Sequence, residues 1–214
     1  MIFNRLLALA GVLIGLAALA LQFSLTIPAS LAAGRNIVMS VVFYFSFFTI
    51  LTNIALVLVY AASLSGGRWF SRLDTPLARA SAAAAIALVS GFYHLFLAAL
   101  WRPEGLFLVC DVALHYITPA IYLIWFVVYG RSGTLRLANI PAMLAAPLLY
   151  LVYVMIRGAL IGEYPYPVLD AGELGYLRVG INAVALFLTL TALSAMAIGI
   201  DRFKPRPKSS AEAK

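Results

Sequence analysis

A single cysteine, Cys110, stands in a chain of 214 residues, which excludes an intrachain disulfide and a thiolate metal cluster. Charge is scarce too. Only 11% of the residues are Asp, Glu, Lys or Arg and 64% are hydrophobic, with a mean hydropathy of +1.01; an ordinary soluble domain is about 25% charged and about 45–50% apolar. A soluble enzyme is excluded on composition, and its templates are missing as well: no GxSxG elbow, HExxH pair, phosphate-cradling glycine loop or CxxC occurs. The chain has just two histidines, His94 and His115. Two imidazoles can ligate one haem, but the many bis-histidine membrane proteins that hold two haems use four. There is no internal repeat, no pair of Gly-interrupted helices of the inverted-repeat transporter kind, and no series of alternating ten-residue segments of the barrel kind.

What the sequence does have is long apolar runs rich in Leu, Ala and Ile. Crossing a hydrocarbon layer of ~30 Å takes about 20 such residues in a helix, and six runs qualify: 6–25, 37–62, 79–101, 106–129, 137–161 and 176–200. The first exceeds the roughly 7–15 apolar residues of a secretory signal, so it is expected to be a span and not a cleaved leader. The formal charge of +7 reads as a topology signal and not as a nucleic-acid footprint. Arg5, Arg68, Arg72, Arg79, Arg131, Arg136 and the basic C-terminal segment fall on one side, leaving Arg35, Arg102, Arg157 and Arg178 on the other. The expectation is an all-α bundle of six transmembrane helices over residues 1–200, both termini cytoplasmic. Residues 201–214 are expected to form a disordered basic tail near anionic lipid.

Polar side chains inside spans face the bundle interior, and ionisable ones are candidates for function. In the second span Ser46, Thr49, Thr52 and Asn53 recur at helical spacing along one face; packing between helices is their simplest use. In the fourth span Asp111 and His115 lie four residues apart, so the carboxylate reaches the imidazole. That pairing fixes a histidine tautomer and suits a general base, though it also suits a buried structural pair. His94, in the third span, falls at a depth that lets it share a cavity with His115. Arg157, near the end of the fifth span, follows Tyr150 and Tyr153. It either snorkels to the interface or clamps a substrate carboxylate.

Three stretches together resemble a six-span family, the androgen-induced and androgen-dependent TFPI-regulating membrane hydrolases, which has bacterial relatives. They are Leu51-Thr52-Asn53-Ile54-Ala55-Leu56, then His115-Tyr116-Ile117-Thr118-Pro119, then Gly162 followed by Tyr166-Pro167-Val168-Leu169-Asp170. The resemblance implies an intramembrane threonine hydrolase of lipid esters, fatty acid esters of hydroxy fatty acids among them, in a bacterial cell membrane. By alignment it puts the nucleophile on Thr52 and the base on His115; a shift of three residues moves the nucleophile to Thr49. A threonine hydroxyl is a poor nucleophile until a neighbouring base takes its proton, and His115 backed by Asp111 is the base available. Asn53 is the expected oxyanion donor. Thr49, His94 and Arg157 are expected to contact substrate, and no metal or organic cofactor is required. Gly158-Ala159 stands where animal relatives carry histidines. The alternative function is a small proton-linked transporter with Asp111 and His115 as its protonation site.

Overall fold

The computed structural model describes residues 2–66 and 71–203. The basic residues from Lys204 onward, and Arg68, lie outside these. Among the described residues the chain is helical throughout, without strands. Helix α1 is Ile2–Ala32, α2 Ile37–Phe45, α3 Phe48–Leu64 and α4 Pro76–Phe92, which runs on through a π-helical turn, Tyr93–Leu97. Next come α5, Gly105–Val112, and α6, Thr118–Trp125, joined by a second π turn, Ala113–Ile117; a third, Phe126–Gly130, follows α6. Last are α7, Ile140–Ile161, and α8, Ala171–Arg202. Five continuous helical stretches are long and apolar enough to cross a membrane, and the pair α2 and α3 makes six if counted as one broken span. Their outward surfaces carry exposed Leu13, Leu149, Leu160, Leu177 and Leu188, which suits lipid and would be a liability in water.

The expected second span, 37–62, is not one straight helix. α2 and α3 meet at a 72° bend. The expected tail also begins too early, because α8 continues through Arg202 and Asp201 is fully buried. Its carboxylate accepts from the amide of Ser132 at 2.5 Å and that of Leu135 at 3.1 Å, tying the loop before α7 to the end of α8.

α1 packs chiefly along α3, and α4 along α8. The closeness of the first pair comes from glycine. A Cβ on Gly11 would lie 2.3 Å from Cε2 of Tyr60, and one on Gly15 would lie 2.7 Å from Cγ2 of Val57. Small residues four apart let two backbones approach where no hydrophobic effect drives association. Tyr60 cannot yield, since it is 2% exposed and packs edge-on against Tyr122 and Trp125. Gly11→Val is therefore expected to destabilise the bundle by about 1–3 kcal/mol, the usual cost of overpacking. A lowered thermal midpoint in detergent, with Gly91→Ala as an unaffected control because its added Cβ meets nothing within 4 Å, checks this.

Candidate active site

No proline or glycine causes the bend between α2 and α3. Ser46 and Phe47 form it, with Phe47 extended at φ −88° and ψ 126°, so that backbone groups leave the helical ladder. Distant tyrosines take them up. Tyr150 of α7 donates to the Ser46 carbonyl at 2.8 Å, and the Tyr153 hydroxyl lies 3.0 Å from Ser46 Oγ, which itself donates to the Val42 carbonyl. The bend starts α3 inside the bundle, placing Thr49 in a first helical turn whose amides have no partner within the helix. The Thr49 amide instead donates to the Tyr166 hydroxyl oxygen at 3.3 Å.

Thr49 Oγ1 lies 3.3 Å from His115 Nε2. On the other side of the ring, Nδ1 is 3.0 Å from the Asp111 carbonyl oxygen and 3.2 Å from Asp111 Oδ1. Both partners of Nδ1 are acceptors, so the proton sits there and Nε2 is left to accept from the Thr49 hydroxyl. The second carboxylate oxygen of Asp111 accepts from Tyr93 at 2.6 Å, and the Tyr93 ring stacks on His115 with centroids 3.7 Å apart. Hydroxyl, imidazole, carboxylate and phenol thus form one chain from three helical segments. His115 occupies a π turn and Tyr93 opens another; such turns are frequent at functional sites.

The other expected residues fall elsewhere. Thr52 is buried at 4% exposure but lines neither of the two cavities beside Thr49. Asn53 is 1% exposed and fully engaged: its amide donates to the carbonyls of Thr49 and Leu114, and its oxygen accepts from Thr118 at 2.5 Å. It fixes the spacing between α3 and the His115 segment and has no donor left for an oxyanion. His94 is exposed and pairs with the Tyr116 hydroxyl at 3.2 Å. Neighbouring residues on a helix project about 100° apart; with Tyr93 turned inward, His94 is carried outward and lines neither of the cavities beside Thr49.

Arg157 is buried and paired, and it lines neither of the two cavities beside Thr49. It is 7% exposed and bonds Glu163 twice, to the carbonyl at 2.6 Å and to the carboxylate at 2.8 Å. Glu163 also meets Arg35 at 3.0 Å. Burial alone would raise the Glu163 carboxyl, but the hydrogen bonds and charges of the two arginines outweigh it and hold it below its ordinary value.

The segment between α7 and α8 is built to deliver Tyr166. Gly162 ends α7 in the left-handed region, φ 73°, where only glycine is at ease. Pro167 opens a short 3₁₀ turn, and Asp170 caps α8 by accepting from the amides of Gly172 and Glu173. Gly158 makes room for the ring of Tyr164, which a Cβ there would meet at 2.0 Å. Burial raises the Tyr166 phenol more than its hydrogen bonds with Thr49 lower it, so it is a neutral donor near pH 7.

Two cavities meet at this point. The larger, about 590 Å³, is lined by Thr49, Tyr93, Asp111, His115 and Tyr166 and extends to Gln22, Ser30 and Arg35. The smaller, about 90 Å³, shares Thr49, Tyr93 and Tyr166 and runs between Leu88, Leu151 and Leu190. Tyr93, Tyr150, Tyr153, Tyr166 and Arg35 are the residues that sequence reasoning did not bring to the site. No family model, curated protein or solved structure matches the chain.

Proposed function

We propose that the protein is an intramembrane hydrolase of lipid esters with Thr49 as nucleophile and His115 as base. Support comes from one contact above all, Thr49 Oγ1 at 3.3 Å from the Nε2 of a histidine whose Nδ1 is held by Asp111. As Thr49 Oγ attacks the ester carbonyl, its proton passes to His115 Nε2, and the adjacent Asp111 carboxylate stabilises the imidazolium. Negative charge then develops on the carbonyl oxygen. The Tyr166 hydroxyl, its oxygen accepting from the Thr49 amide at the start of α3, donates a hydrogen bond to that oxyanion and keeps its proton throughout. The imidazolium protonates the departing alkoxide, leaving an acyl-threonine ester. Water attacks this ester, giving its proton to His115, and the acid leaves as Thr49 regains its hydrogen.

The same proposal puts the protein in a bacterial inner membrane as a multi-pass chain with both termini cytoplasmic, in line with the division of its arginines. Substrate enters sideways from the bilayer, as the largely apolar lining of both cavities suits. The threonine mechanism is that of the hydrolase family which the sequence resembles, with the nucleophile one helical turn earlier than its alignment.

A carrier is the second reading, because a span broken within its length beside an ionisable pair is also how transporters build substrate sites. A fluorophosphonate probe separates the two. The hydrolase is expected to be modified covalently on the peptide containing Thr49, and His115→Ala should prevent it. A carrier has no activated hydroxyl, so an unlabelled, folded protein overturns the hydrolase.

A further inference from the structure

The larger cavity has a second group of polar residues besides those around His115. Gln22, Thr26 and Ser30 follow one another at four-residue intervals on α1, and all three line it together with Arg35. Gln22 and Thr26 bond each other at 2.8 Å. Ser30 does not behave as a serine inside a helix usually does, bonding back to a carbonyl one turn earlier. It is 3% exposed, and its Oγ is bonded to nothing among the described residues.

Arg35 beside it is held but not saturated. Its guanidinium lies 4.4 Å over the Phe43 ring and gives one nitrogen to Glu163, while Nε is buried without a partner. Arg35 and Arg157 share the single carboxylate of Glu163, so this corner keeps one net positive charge. A buried hydroxyl and a guanidinium edge with unused donors, in a cavity that Phe47, Leu97, Trp101, Phe107 and Leu114 also line beside the polar groups around His115, match the head of a singly anionic amphiphile.

We propose that Ser30 and Arg35 form a subsite for the anionic end group of the substrate, a carboxylate or comparable monoanion joined through an apolar stretch to the bond held at Thr49. The role in turnover rests on the hydrolase reading; binding of the anion does not. Arg35, and not Arg157, is then the residue that selects for charge.

Two measurements on the full-length protein in nanodiscs test this. In the first, a carboxylate-bearing ester is compared with its methyl-capped analogue. Arg35→Gln should lower kcat/KM for the acid about tenfold or more through KM, with little change for the capped ester, and Ser30→Ala should do the same more weakly. Equal losses on both esters overturn the subsite. Should Arg35→Gln fail to fold, Ser30→Ala and Glu163→Gln decide, the latter expected to tighten acid binding by freeing Arg35. In the second, a fluorescent long-chain fatty acid is titrated directly, with a long-chain alkyl phosphate as competitor. Weaker fatty-acid binding in Arg35→Gln supports the subsite even if no ester is cleaved, in which case only the hydrolase reading falls. Binding that ignores Arg35 and Ser30 overturns it. Stronger competition by the phosphate would assign the end group to that anion.

Discussion

Thr49→Ala is expected to reduce lipid-ester hydrolysis by at least ~10³-fold, the scale on which losing a nucleophile acts when it works as a unit with its base. The protein should still fold, because the hydroxyl contributes a 3.3 Å contact with His115 and a bond with Tyr166, while the Asn53 clamp on this stretch uses the Thr49 backbone carbonyl. His115→Ala should cost as much, and the double variant little more than either alone. Thr52→Ala is the discriminating control. Its side chain lines neither cavity, so activity should stay within a few-fold of wild type. The reverse pattern, activity lost in Thr52→Ala and kept in Thr49→Ala, would return the nucleophile to the position implied by the resemblance. Full activity in both would end the threonine mechanism.

Asp111→Asn is expected to lower turnover by about 10²–10⁴-fold with a thermal midpoint close to wild type. The upper figure is the scale seen when a triad carboxylate becomes an amide and the histidine adopts the wrong tautomer. The lower one reflects a feature of this site: Nδ1 keeps the Asp111 carbonyl as a second acceptor at 3.0 Å. Asparagine preserves shape and still offers an oxygen to Tyr93, which now donates at 2.6 Å, so stability should hold. Were Asp111 only packing the helices, the substitution would reduce stability and leave the rate per folded molecule untouched. Measuring specific activity and melting on one preparation separates these outcomes.

Much of the helical frame was legible because crossing a membrane imposes length and apolarity on contiguous residues, and the Asp111–His115 pair was legible because four residues along one helix is a local relation. The bend was not. Ser46 and Phe47 carry no breaker, and what holds the bend comes from Tyr150 on the Ser46 carbonyl, Tyr153 on the Ser46 hydroxyl and Tyr166 on the Thr49 amide, about a hundred residues on, which no local pattern reveals. The partner of Arg157 was hidden for a different reason: Glu163 is only six residues on, but it lies past the left-handed end of α7, where helical spacing no longer says which side chains meet. In the sequence Arg35 is a charge in the loop after α1, and its place in one cavity lining with Ser30 comes from the tertiary fold. Residue type points to His94, whereas it is Tyr93 that faces inward from their π turn.

The three π turns have one further meaning. A turn that bonds each carbonyl to the fifth residue on holds one residue more than an α turn, so the stretch Gly105–Gly130 carries surplus chain at His115 and again at its far end. Length and orientation are thereby uncoupled. Removing Ala113 or Leu114 would let an α turn replace this π turn, so that Thr118 and Tyr122 beyond it keep nearly the facing they have in a span still able to cross the bilayer, while Asp111 and His115 come to stand three residues apart and not four. The geometry around His115 depends on a counting irregularity that hydrophobic thickness cannot detect, so single-residue deletions are a more searching probe of it than side-chain replacements.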